Sequence, residues 1–224
     1  MKNFYIILSA LIIVIFNILQ TKDYPSKFIK SLNFISFLII GFRYIILIIF
    51  TLSNNINLIK ILSYIYIPPT IGLIIPSALA LWYIIPRFRE KIKEWIVVVI
   101  ISPFIIFYFI LIYYSPFQLI NQSGLGYRLE LISPWINYLM IVQGIFIFLI
   151  IFICILGCYW YRYKFPRSQY LLFILGYILI FIDGLSIIFK KLYIIEPLIL
   201  SESFVLIAIL YAFSTNPIKY KYRD

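Results

Sequence analysis

The chain alternates long apolar runs with short polar clusters. Seven runs stand out, at about Phe4–Leu19, Ser31–Ser53, Ile61–Ile85, Trp95–Tyr114, Trp135–Tyr159, Tyr170–Phe189 and Ile195–Phe213. A helix needs about 20 mostly apolar residues to cross the hydrocarbon core of a bilayer, and these runs approach or meet that length. They predict an all-α integral membrane protein, a bundle of seven transmembrane helices forming a single domain over residues 1–224. Proline marks the joints: Pro25, Pro86, Pro116, Pro134, Pro166, Pro197 and Pro217 fall in or beside the connections. The four tryptophans, Trp82, Trp95, Trp135 and Trp160, sit at run ends, where an amphipathic indole suits the headgroup region. The longest connection, Ser115–Pro134, is expected to lie along the membrane surface or to lid the bundle.

Composition sharpens the class. Apolar types make up 64% of the residues and charged types 12%, against about 45–50% and about 25% in soluble domains. That excess excludes a soluble globule and a disordered chain alike. The net charge of +11 adds an orientation. Alternate connections hold Lys22, Lys27, Lys30, Arg87, Arg89, Lys91, Lys93, Arg162, Lys164, Arg167, Lys219, Lys221 and Arg223, whereas the opposite side holds only Lys2, Lys60, Arg128, Lys190 and Lys191. Positive turns stay in the cytoplasm, so the N-terminus is expected outside, the C-terminus inside, and the protein in the cell membrane. A secretory signal is the competing reading of the first run. No small-residue cleavage site follows at Ile18-Leu19-Gln20-Thr21, and the heavier positive charge comes after the run, so a retained helix is preferred.

The inventory excludes much chemistry. There is no histidine, which removes histidine bases, metal ligands and phosphoacceptors together. No GxxxxGK[ST] loop is present. Cys154 and Cys158 lie four apart on one helical face, either a soft-metal or redox pair or two small apolar packing residues. No enzyme activity, cofactor or metal is expected. The scattered basic clusters suit anionic lipid rather than nucleic acid.

Candidate chemistry rests on polar residues inside the runs, which are costly in hydrocarbon. Arg43 stands twelve residues above the inner end of the second run, about 18 Å at the helical rise. Gln143, Asp183 and Glu202 lie seven or eight residues inside the outer ends of the fifth, sixth and seventh runs, roughly 10–12 Å deep. Pro68 and Pro69 reach that depth in the third run, where they free backbone carbonyls beside a cavity or a protein-buried site. Pro76 and Pro103 are expected kinks. One arginine facing two buried carboxylates leaves a surplus negative charge, which calls for a proton or a cation. The layer reads as a ligand, proton or ion site open to the outside. The competing readings are an Arg43–Asp183 or Arg43–Glu202 pair that fixes helix rotation, or side chains that snorkel toward water. The many tyrosines and phenylalanines read as lipid-facing and interfacial bulk.

One family resemblance emerges from these runs. Ile59–Ile85 (IKILSYIYIPPTIGLIIPSALALWYII), Val99–Leu119 (VIISPFIIFYFILIYYSPFQL) and the stretch from Trp135 through the basic turn YRYKFPRSQY to Tyr170 resemble the seven-helix N-terminal membrane region of prokaryotic sensor histidine kinases. The sequence ends at Asp224 and holds no histidine, so the resemblance implies a sensory bundle standing alone, with a separate chain as its output partner. No ligand residues carry over from it.

The expected function is a receptor-like sensory module. It would bind a small ligand or ion at Arg43, Gln143, Asp183 and Glu202 and signal to a cytoplasmic or membrane partner through the inner turns Arg87–Glu94 and Arg162–Arg167. A small-solute or ion transporter, or a subunit of one, is the first alternative. It is disfavoured because few polar residues continue into the inner half beyond Ser36 and Ser102. A structural subunit of a membrane complex is the second. Homo-oligomerisation stays open.

Overall fold

The computed structural model describes residues 2–53, 55–64, 70–114, 117–122, 126–161, 164–188 and 198–214. Helix α1 (Lys2–Gln20) runs through a short 3-10 turn at Thr21–Asp23 to α2 (Lys27–Leu52). The Ser26 hydroxyl caps α2 by accepting from the Ile29 N–H. Helices α3 (Ile56–Tyr64) and α4 (Ile71–Ile84) come next. The single third span read over Ile61–Ile85 is therefore two helices, with Pro68 and Pro69 outside the described residues. A six-residue helix, α5 (Pro86–Lys91), leads to α6 (Glu94–Tyr114), and after a hairpin come α7 (Trp135–Trp160), α8 (Lys164–Ile188) and α9 (Ile199–Ser214).

Five helices, α1, α2, α6, α7 and α8, are long and apolar enough to cross a membrane, and α4 and α9 are shorter apolar helices. The chain is a multi-pass helical membrane protein in its make-up. Its surface agrees: Ile100, Phe109, Phe148 and Phe152 are exposed, while Asn17, Asn33, Arg43, Gln143 and Glu202 are buried. Apolar groups outside and polar groups inside suit hydrocarbon as the solvent.

The connection after α6 is more ordered than the sequence suggested. Strands β1 (Phe117–Gln122) and β2 (Gly126–Leu131) pair antiparallel, with Phe117 opposite Leu131 and Leu119 opposite Leu129. Leu129 and Leu131 alternate with Arg128 and Glu130, a two-residue period that puts the apolar members on one face. The hairpin touches α2 and α3.

Helix α4 is the axis. Nearly every residue from Gly72 to Ile84 is buried, as expected of a helix apolar on all sides. It packs against α2, α6 and α9, while α9 also packs against α1 and α8, and α7 pairs with α8. By contrast, the α6 and α7 backbones stand well apart, and large side chains such as Phe104 and Phe146 meet between them. Small residues set the close approaches. A Cβ on Gly72 would stand 3.0 Å from the Ser36 carbonyl oxygen, and one on Gly176 would stand 3.3 Å from the Val205 nitrogen.

The turns after α1, α4 and α7 and the end of α9 gather at one end. Phe213 stacks on Tyr24 and Tyr83, Ser26 donates to Glu94 at 2.9 Å, and Arg87 lies over the Trp160 ring. This charged end opposes the hairpin end.

Candidate functional site

Glu202 lies in the first turn of α9 and is 1% exposed. Its Oε2 accepts from the Arg43 guanidinium at 2.5 Å and from the Tyr44 hydroxyl at 3.0 Å. Its Oε1 accepts from the Thr70 backbone N–H at 2.7 Å. Arg43 is 3% exposed, so the ion pair is buried, and added hydrogen bonds are what make such a pair tolerable.

Thr70 is the N-cap of α4 and has a φ of 67°. A β-branched residue is an outlier in that left-handed region. Its backbone N–H is aimed at Glu202, and the carboxylate also meets the positive end of the α4 dipole. The break in the third span thus has a use: it places a helix start inside the bundle, where Glu202 satisfies an otherwise unbonded donor.

Thr70 extends the network. Its hydroxyl lies 2.5 Å from the Tyr108 hydroxyl, and the Gln143 amide donates to Thr70 Oγ1 at 2.6 Å and to the Tyr108 hydroxyl at 2.8 Å. One connected set of polar groups therefore ties α2, α4, α6, α7 and α9 together. Beside it lies a cavity lined by Thr70, Tyr108, Gln143, Phe104, Phe146 and Tyr177 among others. About 20 Å³ of it is open to the centre of a water molecule, which is room for about one water. The cavity lies where the α6 and α7 backbones stand apart.

Of the four residues read as a ligand layer, the structure brings Arg43, Gln143 and Glu202 together. Asp183 stands apart. It is partly exposed and its side chain makes no hydrogen bond among the described residues. The expected surplus of negative charge is absent from the described network, which carries one charge of each sign. The reason is rotational, because the depth of Asp183 along α8 says nothing of the side it faces. Pro76 is buried inside α4 and Pro103 lies inside α6.

Three members of the network escaped the sequence reading: Tyr44, Thr70 and Tyr108. Tyr44 and Tyr108 are 0% and 1% exposed, so these tyrosines are not lipid-facing. A phenol in an apolar interior needs a partner for its hydroxyl, and both have one. Thr70 carried a faint signal, as the residue that follows the tandem prolines.

The remaining candidates stand apart from this network among the described residues. Cys154 is a buried free thiol and Cys158 a half-buried one. Among the described residues no three His, Cys, Asp or Glu side chains are grouped to hold a metal ion. Of the turn at Arg162–Arg167, Arg162 lies outside the described residues and Arg167 is exposed. At Arg87–Glu94 the Trp82 indole ties the turn down by donating to the Ile92 carbonyl at 2.8 Å. No family model matches the chain, no curated protein is significantly similar to it, and no solved structure matches its fold.

Proposed function

We propose that this chain is a receptor-like membrane module: a seven-span bundle with its N-terminus outside and its charged turns in the cytoplasm, which reads a small ligand through helix packing. The resemblance to the membrane regions of sensor kinases belongs to this proposal, as does a separate signalling partner at the charged end. The observation that carries it is the Glu202 carboxylate, which holds α2, α4 and α9 at the start of a broken span beside a cavity. A molecule competing for Thr70, Tyr108 or Gln143 would loosen or tighten several helices at once, and only a ligand that prefers one packing can shift the balance. The described charges already neutralise one another, so the fitting ligand is small and uncharged. It would carry one hydrogen-bonding end for Gln143 and Tyr108 and an apolar part for the gap between α6 and α7.

The test needs no ligand. In nanodiscs, spin labels placed at Arg89 and Ser214 report the packing of the charged end. Gln143→Leu is expected to shift or broaden their distance distribution. An unchanged distribution, with the fold intact, refutes the coupling and leaves a scaffold.

A transporter is the second reading, favoured by one observation. Asn17, Asn33, Ser36 and Ser77 are all buried on the charged-end side of the Glu202 layer, so polar groups continue further than the sequence suggested. Flux of a small uncharged solute through reconstituted vesicles, reduced by Gln143→Leu, would favour it.

A further inference from the structure

The cavity beside the Glu202 network has an apolar body, a polar patch and a side turned to lipid. Leu73, Ile74, Phe104, Phe146, Ile147 and Ile180 are among its walls. Its polar patch is Thr70, Tyr108 and Gln143, which hydrogen bonds join to one another. Phe104 on α6 and Val142 on α7 are wall residues that are only half-buried, so they mark a mouth between those two helices. The Phe104 and Phe146 rings meet there, 5.2 Å apart at 63°. Ile100 lies one turn before Phe104, and Ile145 and Leu149 lie one and two turns after Val142, so each flanks the mouth on its own helix. All three are exposed. An exposed apolar side of a membrane helix faces hydrocarbon, so the mouth opens on lipid.

The polar patch lacks a donor. The Gln143 amide nitrogen serves both Thr70 and Tyr108, while the amide oxygen accepts no hydrogen bond among the described residues. Native interiors rarely leave such an acceptor bare. The room beside it fits about one water. A sugar or an amino acid is too large for that space, whereas a single hydroxyl matches it. A carboxylate or an ammonium would add a net charge beside a buried pair that already neutralises itself. A ketone or an ether only accepts, so it offers the amide oxygen nothing. An alcohol donates, and its own hydroxyl is equally short of partners in hydrocarbon. Pairing the two relieves both.

We propose that this cavity holds the hydroxyl of a long-chain alcohol drawn from the bilayer, with the alkyl chain leaving between Phe104 and Phe146 into the lipid. The hydroxyl donates to the Gln143 amide oxygen. The two phenylalanine rings are the door, and because the α6 and α7 backbones stand apart, rotation of a ring opens the mouth without separating the helices. The proposal rests on the receptor reading of this site and adds the class and the source of its ligand.

Photolabelling of the full chain in nanodiscs tests this, with hexadecanol that carries a diazirine near its hydroxyl. Adducts are expected on the buried walls Tyr108 and Tyr177 as well as on lipid-exposed Phe109 and Phe148. Excess plain hexadecanol should remove the adducts at the buried walls and spare those at the exposed rings. Hexadecyl methyl ether, which has the chain without the donor, and glycerol, which has hydroxyls without the chain, should remove neither. Adducts confined to the exposed rings, as for a cavity that holds only water, overturn the proposal. Equal competition by the ether overturns the role of the hydroxyl, and competition by glycerol overturns the bilayer as its source. Val142→Trp, which plugs the mouth, should cut labelling of Tyr108 and Tyr177 several-fold, and undiminished labelling overturns entry between α6 and α7. The competition on the unmodified chain decides should that variant fail to fold. The two readings fail separately. Saturable labelling with no change in the Arg89–Ser214 distances on adding hexadecanol keeps the site and refutes the receptor. A shift on Gln143→Leu without labelling refutes the alcohol alone.

Discussion

Neutralising Glu202 should be among the most damaging conservative changes in this protein. Glu202→Gln keeps the shape and removes the charge. It leaves the Arg43 guanidinium buried, 3% exposed, without its carboxylate. Breaking a buried pair this way costs about 3–5 kcal/mol. Arg43→Met should cost less. The carboxylate left behind still accepts from the Tyr44 hydroxyl and from the Thr70 N–H, and hydrogen bonds to a charged group offset part of the cost of burying it. The double variant should fall well short of the sum, because neither charge remains to be stranded. A residual cost of about 1–3 kcal/mol is expected for the Thr70 N–H and Tyr44 hydroxyl, whose acceptor is weakened. The assay is reversible unfolding in bicelles, by steric trapping or detergent titration, run as a double-mutant cycle. A coupling of about 2 kcal/mol or more is expected, above the roughly 0.6 kcal/mol average of interhelical hydrogen bonds in a membrane. Additive losses, or Arg43→Met worse than Glu202→Gln, would refute the assignment of this pair as the tie between α2 and α9.

Other perturbations separate the network from its surroundings. Asp183→Asn should change stability by less than about 0.5 kcal/mol in the same assay, because its side chain holds nothing among the described residues. Tyr108→Phe removes a hydroxyl that Gln143 and Thr70 both use and should cost about 1 kcal/mol; an equal loss on replacing exposed Tyr159 would count against a specific role. Gly72→Leu should cost several kcal/mol by forcing α2 from α4, since even a Cβ would crowd Ile40 and the Ser36 carbonyl. A neutral result would mean that the two helices do not approach closely.

What the sequence made legible was depth, and what it hid was rotation. The apolar runs marked where helices would form, and counting residues from their ends put Arg43, Gln143 and Glu202 in one layer. Asp183 passed the same count and faces elsewhere. Helices α4, α7, α8 and α9 are apolar on nearly every face and carry no stripe that says which side turns inward. Tyr44 and Tyr108 were hidden for a related reason: a tyrosine suits a lipid interface and a buried hydrogen bond equally well. The hairpin was missed because a search for long apolar runs passes over a six-residue alternation such as Gly126–Leu131. The tandem prolines did mark the third span as irregular, but nothing in them said that Thr70 would turn its N–H toward a carboxylate on α9.

The account rests on a bundle that crosses the membrane with its charged turns inside and its hairpin outside. Single cysteines at Lys91 and Glu130, in a background with Cys154 and Cys158 replaced, read this directly with a membrane-impermeant maleimide on intact cells. The account predicts that the Glu130→Cys chain reacts at once and the Lys91→Cys chain only after the membrane is opened. Reaction of the Lys91→Cys chain from outside, or of both chains equally, would contradict it.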